Sequence, residues 1–210
     1  MVRVVSVNVG LPRDVEWKGQ TVSTGIFKEP VEGRIPVRAL GLEGDGQADL
    51  TVHGGTEKAV YLYPSEHYPH WQAELERDLP CGMFGENLTT EGLLENEVHI
   101  GDRFQIGATE LVVTQPRMPC FKLGIRFQRP AIVKTFLKSG RTGWYFSVGV
   151  EGDVAAGDEV ERITTDERGL SVADVSGLFV GEGAEETLQL AVDHEGLPDG
   201  WRDYFRKRIA

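Results

Sequence analysis

Cysteine is scarce: there are two in 210 residues. That is too few for a disulfide framework, and a reducing cytoplasm is the expected compartment. No apolar run approaches the roughly 20 residues that a helix needs to span a bilayer. The opening, Met1 to Val9, reads as a strand and is too short for a signal peptide. The glycine-rich turns carry neither the dinucleotide spacing nor the Gly-Lys-Ser/Thr of a phosphate loop. His67 and His70 stand at i, i+3 on a predicted helix, but no Glu follows as in His-Glu-x-x-His and no third ligand is close in sequence. Both are read as structural or surface residues.

The most informative absence is acidic. The chain totals −11, yet Leu111 to Val150 contains no Asp or Glu. Arg117, Lys122, Arg126, Arg129, Lys134, Lys138 and Arg141 make that window +7, which leaves −18 for the rest. Such an acidic total argues against nucleic-acid partners and anionic membranes, while a basic island inside it suggests a local anionic ligand. Lys134 and Lys138 are expected to balance acidic neighbours across the fold. Arg117 and Lys122 are the exceptions, because they flank Cys120. A thiol between fixed cations ionises more readily. Pro116 and Pro119 stiffen the segment Gln115 to Leu123, which reads as a non-helical loop after a short buried strand, Leu111 to Val113. A lone Cys is more often structural than reactive; here the neighbouring charge favours the reactive reading.

What remains is ordinary for a globular chain of this length: 40% hydrophobic and 26% charged residues, with 26 Gly and 10 Pro that favour many turns and a β-rich fold. Strands are predicted over Val2–Val9, Thr21–Phe27, Ile35–Leu40, Ala59–Tyr63 and Trp144–Val150. Helices are predicted over Ser65–Asp78 and Arg129–Ser139. The Gly-Asp pairs at 101–102, 152–153 and 157–158 are assigned to hairpin turns. Val52-His53-Gly54-Gly55 can expose amides to an anion, with Lys58 adding a point charge, or it can be a plain turn. Glu86 or Asn87 could bond a ligand edge, or either could close a turn. After Ile163 the pattern becomes helical. Ser171 and Asp174 have capping-box spacing, and Trp201, Tyr204 and Phe205 share a face of the last of three short helices. This tail, residues 164–210, reads as a packing or dimerisation appendage to a first domain spanning 1–163.

Taken together, Gly41 to Asp45, Val52 to Gly55, Lys58 with Tyr61 and Tyr63, Gly85 to Leu88, Gly101-Asp102 and Gln115 to Leu123 resemble the MOSC domain. That is the C-terminal domain of molybdenum cofactor sulfurases. The tail is similar to the three-helix domain on stand-alone bacterial members of the YiiM type. The resemblance implies a mainly β fold: an antiparallel β-barrel with a few short helices and a small helical subdomain. It also implies a molybdenum cofactor, a pterin dithiolene with a phosphate tail. Cys120 then becomes the candidate metal ligand and catalytic residue, and His53, Gly54, Gly55, Lys58, Asn87, Arg117 and Lys122 become candidates for holding the cofactor. Related bacterial proteins reduce N-hydroxylated bases such as 6-N-hydroxylaminopurine, so the expected function is a molybdenum-dependent reductase fed by a separate electron-donor protein. The competing reading is a non-catalytic cofactor carrier, or a sulfur relay through a Cys120 persulfide.

Overall fold

The computed structural model describes residues 1–49 and 54–209. The first strand shows why the chain folds as it does. In β1 (Arg3–Val9) Val4 and Val7 go inward, while Arg3 and Val5 stay exposed. One face must therefore be covered. A hairpin follows, β2 (Arg13–Trp17) and β3 (Gln20–Thr24), closed by Lys18 and Gly19 at φ 51° and 76°. Two positive φ values in succession are what a tight hairpin turn requires. Then come β4 (Glu29–Pro30), β5 (Ile35–Arg38), β6 (Gly41–Leu42) and β7 (Val60–Pro64), the last buried at every position. Next are α1 (Tyr68–Leu75), β8 (Leu88–Glu91), β9 (Arg103–Ile106), β10 (Thr109–Pro116), α2 (Phe121–Phe127), α3 (Ile132–Lys138), β11 (Trp144–Val150), β12 (Gly152–Val154) and β13 (Val160–Thr164). The chain ends in α4 (Val172–Val180), α5 (Glu185–Asp193) and α6 (Asp199–Ile209).

Eight strands form one sheet in the order β13-β9-β10-β11-β7-β8-β1-β4, antiparallel except where β7 runs parallel to β8. A three-stranded sheet, β12-β5-β6, and the β2–β3 hairpin complete the β structure. The closed barrel is not formed among the described residues; the sheets are open. The large sheet is nevertheless curled. Its ends touch through one antiparallel bridge, Arg3 to Glu159, and through backbone bonds such as Val4 N to Asp158 O at 2.9 Å. With about 31% strand and 28% helix, the fold is mixed α/β rather than mainly β.

Two cores explain the layers. The larger joins the sheet to the tail: Val113, Trp144 and Phe146 share it with Val175, Leu178, Val192 and Phe205. Backbone bonds from Ile100 N to Leu170 O and from Val172 N to Val98 O stitch the start of α4 to the sheet domain. The smaller core is aromatic. It packs Tyr61 and Tyr63 of β7 against Trp71, Phe84, Phe127 and Phe136, under α1, α2 and α3. His67, expected to be structural, is buried there and bonded to Glu95 at 2.8 Å, and His70 lies on the surface beside Glu74. Among the described residues no helix is long and apolar enough to cross a membrane.

Candidate functional site

At the edge of the aromatic core lies a cleft enclosing about 650 Å³ when its open mouth is counted. Four segments supply most of its lining, and Lys28, Tyr61, Gly85, Asn87 and Tyr145 complete it. The turn after β3 contributes Thr24, Gly25 and Ile26. Gly25 is needed there, because a Cβ would stand 2.1 Å from the carbonyl oxygen of Gly46. The glycine-rich turn after β6 brings Gly46, Gln47 and Ala48. The segment leading into β7 brings Gly54, at φ 81°, and Lys58. The end of β10 and the loop after it bring Arg117, Met118, Cys120 and Lys122.

The loop at 117–120 is irregular and contains Pro119, but Cys120 is not deep within it. It occupies the N-cap position of α2, with φ −112° and ψ 173°, and Leu123 N bonds its carbonyl at 3.0 Å. The helix beginning at Phe121 replaces the last part of the expected loop. Neither Cys120 nor Cys81 is in a disulfide.

Arg117 is the most constrained cation. Only 5% of it is exposed. Its guanidinium lies over Tyr61 and Phe136, at 5.3 and 5.1 Å from the ring centroids. Nη2 donates to the Phe84 carbonyl at 3.3 Å, and Nη1 is buried without a hydrogen-bond partner. Burial opposes its charge, and neighbouring Tyr61, Tyr145 and Cys120 more than offset this, holding the pKa above its ordinary value. Arg117 is therefore a permanent cation. Among the described residues neither Arg117 nor Lys122 has a carboxylate within salt-bridge distance. Lys28, which sequence reasoning missed, also lines the cleft. Its ammonium is paired with Asp45, whose side chain is 1% exposed. Burial lowers the Lys28 pKa, against the pull of Asp45. Tyr145 is missed too; burial first, against the pull of Arg117, raises its pKa, so its Oη keeps its proton at neutral pH.

Of the residues singled out from the sequence, Gly54, Lys58, Asn87, Arg117, Cys120 and Lys122 line this one cleft. Gly55 is not among the lining residues, and His53 lies outside the described residues. Asn87 is present with its amide already in use: Oδ1 accepts from Tyr61 N at 3.1 Å and Nδ2 donates to Asp45 at 2.9 Å. Those bonds fix its amide in the wall of the cleft. Glu86 turns away altogether, accepting from Tyr68, Gly82 N, Phe84 N and Thr89. The result is a lining with four cations and, among the described residues, no carboxylate.

The MOSC domain family model matches residues 49–161, more than half the chain, so the protein belongs to the MOSC domain family. Within that family the tail places it further: residues 170–210 match the YiiM-like, 3-alpha helix domain. YflK of Bacillus subtilis is 39% identical over 206 residues, which cover 98% of this chain and 93% of that protein. The crystal structure of YiiM from Geobacillus stearothermophilus superposes with a TM-score of 0.84 at 32% identity, over the full length of both chains. A Gibberella moniliformis protein named Reductase is 33% identical over 195 residues, 91% of this chain but 35% of its own length.

Proposed function

We propose that this protein binds molybdenum cofactor in the cleft and uses it to reduce N-hydroxylated compounds. The observation carrying this reading is Arg117 in the cleft lining, a buried guanidinium whose Nη1 has no hydrogen-bond partner, beside Cys120 and Lys122 on a chain of net charge −11. Burying a guanidinium with an unsatisfied N–H is costly unless a ligand completes it. A phosphate-bearing anionic cofactor does so. Arg117 and Lys122 would hold its charge. Cys120 would supply the one sulfur ligand from the protein, which suits a metal already coordinated by sulfur. When bound, the cofactor supplies a two-electron redox centre able to accept oxygen.

The reaction is R–NHOH plus two electrons and two protons giving R–NH2 and water. The chain's own part is binding, orientation and electrostatics. The proton held on Tyr145 Oη offers a hydrogen bond to the hydroxyl oxygen that leaves. Electrons come from a separate donor protein. The kinship to a protein named Reductase supports an enzyme reading.

The test is protein purified from a host that makes the cofactor. Molybdenum and pterin should be found at close to one per chain, and reduced viologen should drive conversion of 6-N-hydroxylaminopurine to adenine. Loaded protein without turnover would favour a carrier instead. Protein with neither metal nor pterin would remove the proposal.

A further inference from the structure

Resting on that reading, we infer that the shallow basic surface over α1 and α3 is the docking site of an acidic electron-carrier protein. Lys134, Lys138 and Arg141 share this hollow with His70 and Glu74. The lysines were expected to be balanced across the fold. They are not: among the described residues none of the three cations has a carboxylate within salt-bridge distance, and Glu74 lies instead 3.8 Å from His70. Three cations against one carboxylate stand out on a chain of net −11. An acidic partner is repelled by most of this molecule and attracted here, so long-range charge selects both the face and the orientation of approach.

The position beneath the hollow gives the charge a purpose. His70 packs edge-on to Trp71, with centroids 4.9 Å apart, and Trp71 stacks on Phe136 at 5.5 Å and 25°. Phe136 is the ring under the Arg117 guanidinium. Tyr63 ties the layer to the hollow by donating to the Arg141 carbonyl at 3.1 Å, and it accepts from Trp71 Nε1 at 2.7 Å. One layer of fully buried rings thus separates the hollow from the cation of the cleft. The hollow and the cleft share no lining residue, so a carrier seated there leaves the lining of the cleft uncovered. Each reduced carrier gives up one electron and is itself oxidised. Two dockings supply the two electrons of a turnover, and the two protons come from solvent.

The probe is an acidic flavodoxin, and the variant is Lys134→Glu with Lys138→Glu, two solvent-exposed positions outside the cleft. Binding of oxidised flavodoxin, measured by interferometry without turnover, should weaken at least tenfold in the variant. In the wild type it should weaken as salt rises from about 20 to about 300 mM, where the screening length falls below about 10 Å. On loaded enzyme the flavodoxin-driven rate should fall by a similar factor, with the viologen-driven rate unchanged. Binding that ignores the charge reversal overturns the inference, as does an equal loss with both donors. So does a change in self-association by sedimentation, which would make the hollow a contact between copies. Failure of the viologen-driven reaction in the wild type counts against the reductase reading alone, because the binding arm needs no cofactor.

Discussion

At the scale of single residues, Arg117 carries two jobs that substitution can separate. Arg117→Lys keeps a positive charge but loses the planar fork, so the Phe84 carbonyl and the ligand can no longer both be served. Arg117→Ala loses the charge as well and leaves that carbonyl unpaired, at a cost of about 1–3 kcal/mol. Cofactor content, read as molybdenum and pterin per chain, should therefore fall in the order wild type, Lys, Ala, and the Ala variant should also melt several degrees lower. Cys120→Ser should keep the melting temperature and abolish viologen-driven reduction, because a hydroxyl is a poor substitute for thiolate at such a metal. Cys81 is outside the cleft, and Cys81→Ser should retain activity. His194 makes a prediction about pH. It is fully buried, with Nε2 3.3 Å from Asp166 and Nδ1 unpartnered. Burial first, then Arg168, hold its pKa below the ordinary 6.5, against the pull of Asp166. The unfolded chain therefore takes up a proton before the folded one. The contribution is complete above pH ~6.5 and is lost as pH falls toward the depressed value. The urea midpoint should drop between about pH 7.5 and about pH 5.5, and His194→Gln should flatten that slope.

Among the elements, α6 shows how the tail is attached. Phe205 is fully buried in the larger core, and Trp201 Nε1 donates to Gln115 at 2.8 Å, two residues before Arg117. Phe205→Ala should cost about 3–5 kcal/mol. A urea midpoint within error of the wild type would mean that α6 is not held by the shared core. Elements set by near neighbours were legible from the sequence. Strand β11 runs over Trp144–Val150 as read, and the Ser171–Asp174 capping box is present in full. Misreadings arose where the partner is far along the chain. Gly152-Asp153 was assigned to a hairpin, yet β12 pairs with β5, more than a hundred residues earlier. A strand was read near β3, but its partner β2 was missed although Lys18-Gly19 marks the turn between them, because Arg13–Trp17 carries three charged residues in five and only Val15 and Trp17 on its apolar side. In the site, Cys120, Arg117 and Lys122 were legible because they are sequence neighbours. Lys28 and Tyr145 were not, since only the fold brings them there.

Across the whole molecule, the open but curled sheet makes the two ends of the sheet domain meet. Strand β1 is laddered to β8 and β4, and its first residues also bond to residues 157–160 beyond β12. That contact has a consequence during synthesis. At about 5–20 residues per second, β1 is made roughly 8–30 s before Glu159. Through that interval the amino-terminal strand is an apolar edge with no cover on one side, exposed to aggregation and to proteases. Nascent chains stalled before residue 157 should be cleaved near Val4 by a dilute protease, and chains stalled well past residue 164 should resist. Equal cleavage of both would mean that the end-to-end bridge adds nothing to protection. If the difference is seen, the last residues of the sheet act as the latch for the first strand.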